Sequence, residues 1–289
     1  MMVSISNHVL SASFATKGAE LQSLLDKNTV INYLWSGDAN YWGKFSPVLF
    51  PIVGALKNNT YTHNGQNYEL PRHGFARDME FAYEKLAEDE ILFTLTHNVD
   101  TLKNFPFAFQ LNLRYKLANH TLFCTYEVIN PAQQNLFFSV GGHPAFAVPL
   151  TKNTTFEDYF LQFNNDEKLS IHQISGGLVC DETTSISLNQ GKLGLNRKLF
   201  YTDALVFKAL KSDTISLLNT QNKHGLDFNF KGFPYFGIWA AKDANFVCLE
   251  PWCGIADGIN HTQELAQKEG MNCLPPNGFW QRTWSITCF

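Results

Sequence analysis

The sequence of 289 residues lacks the patterns that mark several large classes of protein. It has no run of about five to eight basic residues, and its net charge of −4 also argues against anionic partners. No apolar stretch approaches the roughly 18 residues of a membrane-spanning helix. The N-terminus has neither the basic nor the apolar segment of a signal peptide. These absences predict a cytoplasmic protein without nucleic acid or membrane partners.

Common motifs of catalysis and cofactor binding are missing as well. There is no Gly-x-Ser-x-Gly elbow of a serine hydrolase, and neither the GxGxxG nor the GxxxxGK phosphate-binding pattern occurs. The six cysteines are scattered and show neither a CxxC pair nor the spacing of zinc ligands. We therefore expect buried thiols rather than a disulfide framework, with no metal and no cofactor.

Aromatic and strand-forming residues are abundant. The chain has 25 Phe, 10 Tyr and 6 Trp, and short apolar alternations recur every 8–12 residues or so, separated by turn residues. Asn64-Gly65 between two alternating segments is the sequence of a type I′ hairpin. The best helical segment is residues 263–268, about two turns at most. The pattern predicts an all-β fold, a single large antiparallel β-sandwich over residues 1–289 without linker or repeat.

One apolar segment is followed directly by a glutamate. Residues 246–249 are typical of a strand entering a core, Glu250 follows them, and Pro251 cannot donate to a sheet ladder. We therefore expect regular pairing to stop at Pro251, which leaves Glu250 at a strand end beside Trp252. A carboxylate next to a large apolar wall suits a general acid or base with a shifted pKa. A surface glutamate after an edge strand is the alternative.

Two of the nine histidines have unusual neighbours. His73 lies in the charged segment 71–78, and His143 follows two glycines in segment 141–146. Segment 71–78 is either a solvated loop or the wall of a site. Histidine is the side chain whose ordinary pKa lets it donate or accept a proton near neutral pH. Each is therefore a candidate acid or base, with a hydrogen-bonded structural histidine as the alternative.

Three motifs together resemble those of a known family. They are His-Gly-Phe-Ala-Arg at 73–77, Gly-Gly-His-Pro-Ala-Phe at 141–146 and Cys-Leu-Glu-Pro-Trp at 248–252. In this order and at similar spacing they resemble the aldose 1-epimerase (galactose mutarotase) family, in its LacX-like branch. The similarity runs nearly from end to end of the chain. The resemblance implies a large antiparallel β-supersandwich, in agreement with the strand pattern.

The resemblance also implies a reaction and site residues. Family members interconvert the α and β anomers of an aldohexose without cofactor or metal. Carried over, Glu250 is the base that removes the anomeric hydroxyl proton, and His143 is the acid that protonates the ring oxygen. His73 then hydrogen-bonds the ring oxygen or a neighbouring hydroxyl, and Asp203 holds sugar hydroxyls. A carboxylate beside an imidazolium is expected to favour the charged form of both groups.

The chain departs from the family pattern at one substrate-binding position. Galactose mutarotases carry an arginine in an Asn-Arg pair before the first histidine, whereas the corresponding segment 52–58 has none. We expect Lys57, Arg72 or Arg77 to take over this role. In the related hexose-6-phosphate 1-epimerases the arginine of the first motif belongs to the anion pocket, which would make Arg77 a phosphate ligand. A surface ion pair of Arg77 with the acidic residues that follow it is the alternative.

The sequence thus predicts an aldose 1-epimerase that acts on an aldohexose or a hexose phosphate. Its partner is a small-molecule sugar, and the protein is expected to be a monomer or a homodimer. The missing upstream arginine leaves a second function open, a sugar-binding or sensor protein that kept the fold and has weak turnover. A structural partner protein is a third idea, which no exposed apolar helix or repeat supports.

Overall fold

A computed structural model describes residues 1–289, and strands make up most of its regular structure. There are 24 of them: β1 (Met2–Ser6), β2 (Leu10–Ala15), β3 (Glu20–Asp26), β4 (Val48–Leu49), β5 (Thr60–His63), β6 (Gln66–Glu69), β7 (Ala82–Ala87), β8 (Glu90–Thr96), β9 (Gln110–Ala118), β10 (Thr121–Ile129), β11 (Leu136–Phe138), β12 (Val140–Gly142), β13 (Ala145–Ala147), β14 (Tyr159–Phe163), β15 (Lys168–Ser175), β16 (Leu178–Ser187), β17 (Lys192–Gly194), β18 (Leu205–Phe207), β19 (Thr214–Asn219), β20 (Leu226–Asn229), β21 (Tyr235–Trp239), β22 (Phe246–Cys253), β23 (Asn272–Leu274) and β24 (Phe279–Cys288). One α-helix, α1 (Val99–Asn104), is joined by 3-10 turns at Lys57–Asn59, Ala76–Asp78, Phe156–Asp158, Arg197–Phe200 and Leu265–Gln267. The all-β prediction is confirmed.

Two large antiparallel sheets form the sandwich. The first has nine strands in the order β17-β14-β19-β20-β24-β10-β9-β8-β7. The second has the order β16-β15-β18-β21-β22-β12-β4, and β13 also pairs with β22. Three smaller sheets, β1-β2-β3, β5-β6 and β11-β23, complete the fold. The predicted antiparallel architecture is confirmed.

Aromatic side chains join the two large sheets. The ring of Phe228 in β20 lies 6.1 Å from that of Phe236 in β21 and 5.8 Å from that of Phe146 in β13. These rings belong to a cluster of 70 buried hydrophobic residues that contains members from Ile5 to Cys288. The aromatic content of the sequence is therefore used mainly to fill the space between the sheets.

Local patterns in the sequence decide which strand faces are buried and where hairpins turn. In β10, Leu122, Cys124, Tyr126 and Val128 are buried, while the residues between them are exposed or half-buried. The Asn64-Gly65 hairpin is confirmed, because both residues have a positive φ, 51° and 74°, as a type I′ turn requires.

The central strand β22 corrects one expectation. All eight of its residues are buried, and β21 stays paired with it through Trp252. The prediction that pairing stops at Pro251 is therefore wrong. Glu250 lies within a central strand of the second sheet and not at a strand end.

The reason is that Pro251 lies opposite a gap in the neighbouring strands. The N–H of Leu249 donates to the carbonyl of Pro144, and by the alternation of an antiparallel ladder the nitrogen of Pro251 faces the same side. On that side β12 and β13 both pair with β22, and His143 and Pro144 separate them. No neighbouring strand needs the N–H that proline lacks.

The helix prediction is also wrong. Residues 263–268 form only the 3-10 turn Leu265–Gln267, because Lys268 has an extended backbone and its side chain enters a buried ion pair. The α-helix is α1 instead. It begins with a capping box in which the Asn98 side chain accepts from the N–H of Thr101 and the Thr101 hydroxyl accepts from that of Asn98. No helix has the length and apolar character that a membrane span requires.

Candidate active site

A cavity of about 280 Å³ opens between the centre of the second sheet and the loops beside it. This volume is close to the lower end of the range of about 300–1,000 Å³ typical of small-molecule sites. The lining residues come from β21, β22, the β12–β13 junction and loops, and they are Trp42, Val53, Gly54, Arg72, His73, Arg77, His143, Ile174, Gly177, Val179, Asp203, Ala204, Val206, Trp239, Glu250, Trp252, Ile255 and Ala256. Segment 71–78 is thus a wall of this cavity.

The structure brings all but one of the predicted site residues together. The cavity is lined by His73, His143, Glu250, Arg72, Arg77 and Asp203. Lys57 is not among the lining residues, since its ammonium group donates to the carbonyl of Ile259 at 3.0 Å. The arginine that the family has upstream is therefore not replaced by Lys57 in this cavity.

His143 and Glu250 meet because of the gap beside β22. His143 lies between β12 and β13, both of which pair with β22, so it faces the middle of that strand, where Glu250 stands. Its Nε2 is 3.3 Å from Oε2 of Glu250, and both side chains are buried. The preceding glycines allow close packing here, because a Cβ at Gly141 would lie 2.7 Å from the ring of Trp252 in β22 and one at Gly142 would lie 2.6 Å from the hydroxyl of Tyr126.

Burial decides the protonation of this pair. It raises the pKa of Glu250 from 4.5 to about 8, while the positive charge of Arg72 acts in the opposite direction. It lowers the pKa of His143 from 6.5 to about 3, and Arg77 and Arg72 lower it as well. The pair therefore shares one proton at neutral pH, and that proton rests on the carboxyl group. Burial thus favours the uncharged forms of both groups over the ion pair that the sequence suggested.

His73 is held as a neutral donor. The N–H of Gly54 donates to its Nδ1 at 3.1 Å, so Nδ1 carries no proton and Nε2 does. Burial, together with the neighbouring His143, lowers the pKa of His73 well below its usual value. The residue has a φ of 69°, followed by Gly74 with the same φ, where a Cβ would meet the carbonyl oxygen of Phe50 at 2.3 Å. This strained turn aims the imidazole at the cavity.

Two arginines and one aspartate bring further charged groups to the cavity. Arg72 has no carboxylate partner within 4.0 Å. Arg77 donates to the carbonyl of Arg72 at 2.9 Å and lies 3.6 Å from the carboxylate of Asp78, so it both pairs with the residue after it and lines the cavity. Asp203, just before β18, accepts the N–H of Ala204 at 2.7 Å. The cavity thus holds more guanidinium than carboxylate charge.

All the buried polar side-chain atoms without a hydrogen-bond partner belong to this cavity. They are Nε of Arg77, Nδ1 of His143, Oε2 of Glu250 and Nε1 of Trp252. Such atoms are rare in folded proteins, since each costs about 1–3 kcal/mol when left unpaired. Their concentration in one place indicates a ligand with several hydroxyl or other polar groups.

Three tryptophans form the apolar walls. Trp252 was anticipated from the sequence, and it packs so closely on Gly237 that a Cβ there would lie 2.4 Å from its ring. Trp42 and Trp239 were missed, and both contact His143, with ring centroids 4.9 and 5.6 Å away. Trp42 comes from an irregular loop before β4, and no local pattern connects it to the histidine motif.

The site also contains the one group of three potential metal-ligand side chains in the chain. Donor atoms of His143, Cys248 and Glu250 lie within 4.8 Å of one another. Metal binding needs a thiolate and a carboxylate, whereas burial raises the pKa of both Cys248 and Glu250. In the protonated forms that burial favours, Glu250 can take part in proton transfer with His143.

A buried ion pair missed in the sequence supports one wall. Lys268 donates to the carboxylate of Asp257 at 2.7 Å and to the carbonyl of Ile255 at 2.6 Å. Asp257 in turn accepts the N–H of Lys57 and donates its own N–H to the carbonyl of Ala55. This network joins the chain around residue 55 to segment 255–257, where Ile255 and Ala256 line the cavity.

Comparison with known proteins agrees with this architecture. The family model described as aldose 1-epimerase matches residues 1–270. The chromosomal and plasmid LacX proteins of Lactococcus lactis subsp. lactis are each 31% identical over 297 residues, which cover 99% of both chains. A galactose mutarotase related enzyme from Lactobacillus acidophilus has 33% identity and a TM-score of 0.95, covering 100% of this chain and 97% of its own. A galactose mutarotase-like protein from Lactobacillus casei has 28% identity and a TM-score of 0.91 over 100% of both chains.

Proposed function

Since the chain belongs to the aldose 1-epimerase family, in its LacX-like branch, we propose that it interconverts the α and β anomers of an aldohexose or a hexose phosphate. The observation that carries the proposal is that the unpaired buried polar atoms of the whole chain converge on one small cavity. A sugar offers the hydroxyls and ring oxygen that would pair with them. Trp42, Trp239 and Trp252 offer apolar faces for its C–H groups.

The acid/base pair supplies the two proton transfers that ring opening needs. Transfer of the shared proton across 3.3 Å, from Glu250 to His143, produces a carboxylate and an imidazolium without change in proton count. Glu250 then takes the proton of the anomeric hydroxyl and His143 gives one to the ring oxygen. The C1–O5 bond breaks while the C1=O1 bond forms. Each transfer is worth about 10²–10⁴-fold in rate.

The end of this step restores the protonation state that burial favours. After ring opening Glu250 is a carboxylic acid and His143 is neutral, as in the unliganded protein at neutral pH. Rotation about C1–C2 presents the other face of the aldehyde, and the same transfers in reverse close the ring. His73 supports both directions as a neutral donor to the ring oxygen or a neighbouring hydroxyl, and Asp203 accepts from sugar hydroxyls.

The two arginines favour a hexose phosphate among the candidate substrates. Guanidinium groups bind phosphate through paired hydrogen bonds. Arg72 has no ionic partner, whereas Nε of Arg77 lies 3.6 Å from the carboxylate of Asp78 and makes no hydrogen bond. A phosphate on the sugar would balance the charge of Arg72 and offer Arg77 a hydrogen-bond acceptor.

Anomer exchange measured with and without the pair tests the proposal. The rate of relaxation of α-glucose, α-galactose and their 6-phosphates would be followed by polarimetry, with the spontaneous rate subtracted. Glu250→Gln and His143→Gln are expected to lose nearly all enzymatic rate. His172→Gln, a histidine outside the cavity, should keep it. If the two site variants relax every sugar as fast as the wild type, the proposal is wrong.

A sugar-binding or sensor protein is the second candidate. The neutral resting state of the pair favours it, because Glu250 in its acid form is not yet a base. Calorimetry would show sugar binding in this case, while exchange NMR would show no faster interconversion of the anomers. Turnover that depends on Glu250 would dismiss it.

A further inference from the structure

His143 lacks the contact that usually orients a catalytic imidazole. A histidine that transfers protons through one nitrogen is commonly held by a hydrogen bond at the other, from a carboxylate or a carbonyl. Here Nε2 faces Glu250, and Nδ1 is buried without any hydrogen-bond partner. Packing against neighbouring rings is therefore the contact best placed to set the plane of this ring.

The indole of Trp42 lies on the face of that imidazole. The two ring centroids are 4.9 Å apart and the planes are 29° from parallel, which is a stacked arrangement. Trp239 adds an edge contact at 5.6 Å and 83°. The loop position of Trp42 is secured by its own backbone, since its N–H donates to the carbonyl of Asp38 and its carbonyl accepts from the indole of Trp35, both at 2.9 Å.

We propose that Trp42 is a positioning residue for the acid of the reaction, fixing the plane of the His143 ring and stabilising its imidazolium form. The inference rests on the proposed function, in which His143 must carry a proton when the sugar ring opens. The face of an indole is electron-rich and attracts a cation held above it. A stack that is neutral in the resting protein therefore becomes a cation–π contact in the reactive state.

The charged and titratable groups around His143 act on its charge in opposite directions. Glu250 and Cys248 face it from β22, Arg72, His73 and Arg77 from segment 71–78, and Asp203 lies across the cavity. The two guanidinium groups oppose a charge on the imidazole. The Glu250 carboxylate favours that charge, but only until it takes up the sugar proton. Trp42 carries no charge and acts throughout the step.

Fluorinated tryptophans at position 42 test the electronic part of the proposal. Adding fluorine atoms one at a time withdraws electron density from the indole face with little change in shape. We expect kcat to fall stepwise with fluorine number and KM to change less. Trp42→Leu is expected to lose about two- to thirtyfold in kcat, the range of a cation–π contact. Trp42→Phe should lie between Leu and wild type. A role in packing alone would leave kcat independent of fluorination.

The positioning of the His143 ring by Trp42 can be measured without any turnover. A proton on the His143 ring beneath an indole has an upfield NMR shift from the ring current, which His143→Gln would assign. This shift should disappear in Trp42→Leu and persist in Tyr41→Leu, a neighbouring exposed residue that contacts Trp35 and does not line the cavity. If Trp42→Leu does not fold, Trp42→Phe must show a reduced shift.

Three results would overturn the proposal: an unchanged His143 resonance in Trp42→Leu, no dependence of kcat on fluorination, or an effect confined to KM. Absence of any turnover in the wild type is a separate outcome. It would refute the proposed function, and the NMR shift would then decide on its own whether Trp42 orders His143.

Discussion

The backbone N–H of Gly54 donates to Nδ1 of His73 over 3.1 Å, and this contact determines which nitrogen of His73 carries the proton. A peptide N–H can only donate, so Nδ1 must accept and Nε2 must hold the hydrogen. His73 and His143 stand with ring centroids 5.9 Å apart, yet their roles differ for this reason. One is a fixed donor, and the other is free to gain and lose a proton at Nε2.

His73→Asn should show that the contribution of His73 to stability is separate from its contribution to activity. Asparagine tolerates the φ of 69° and its carbonyl oxygen can accept the Gly54 N–H, so we expect a melting temperature close to the wild type. It removes the Nε2–H donor, which should lower kcat/KM by about 10²-fold. His73→Ala is the comparison: it should lose activity and also about 1–3 kcal/mol, because the buried N–H of Gly54 is left without an acceptor. Equal loss of stability in both variants would contradict this assignment.

The pH dependence of kcat/KM should have its basic limb near pH 8. The free protein holds one proton on the pair until the pH passes the Glu250 pKa of about 8, and loses it above that value. Without that proton nothing can be given to the ring oxygen, so the rate falls as the pH rises. Between pH 5 and pH 7, roughly, the profile should be flat because the proton count does not change. A rate that instead rises through about pH 4.5 would show that a free carboxylate is required from the start.

Glu250→Gln should make the protein more stable at alkaline pH. The folded-state pKa of Glu250 is raised from 4.5 to about 8, so the folded protein holds this proton more tightly than the unfolded chain does. That contribution is present below pH 4.5 and is lost as the pH rises to about 8, where the wild type buries a charge and the glutamine variant does not. The gain should be on the order of 5 kcal/mol at pH 9 and near zero at pH 4. Thermal unfolding at both pH values checks it, and equal differences at both would refute it.

Lys268→Met should be among the most destabilising single changes. It leaves the carboxylate of Asp257 buried without its cation, which typically costs about 3–5 kcal/mol. The matched control is Lys208→Met, since Lys208 also makes a 2.7 Å ion pair, with Glu269, whose side chain is 43% exposed. That exposed pair should contribute less than about 1 kcal/mol. Urea unfolding of the two variants compares them directly, and similar losses would contradict the prediction.

Arg72→Leu should discriminate between phosphorylated and neutral sugars. If Arg72 binds the phosphate, the KM for a hexose 6-phosphate rises by about ten- to a hundredfold, the usual worth of a hydrogen bond to a charged group. The KM for the free hexose should change little. Arg282→Leu, an exposed arginine outside the cavity, is the control. A rise in KM that is the same for both sugars would show that Arg72 does not recognise an anion.

The positions of strands and turns could be predicted because they depend on neighbours in the chain. The alternation in β10 and the positive φ at Asn64 and Gly65 follow from residue types a few positions apart. The effect of Pro251 on pairing was predicted wrongly because it does not depend on neighbours in the chain. It depends on a gap between β12 and β13, which lie far away in the sequence.

The sequence by itself determined the all-β class and singled out His73, His143 and Glu250, because motif and strand pattern are local properties of the chain. Only the tertiary structure decided that Lys57 is outside the cavity and that Trp42 lies on His143. It also buried the acid/base pair, which favours the uncharged forms over the ionic forms that the sequence suggested. A pKa depends on burial and on distances between side chains, and these exist only once distant segments have packed together.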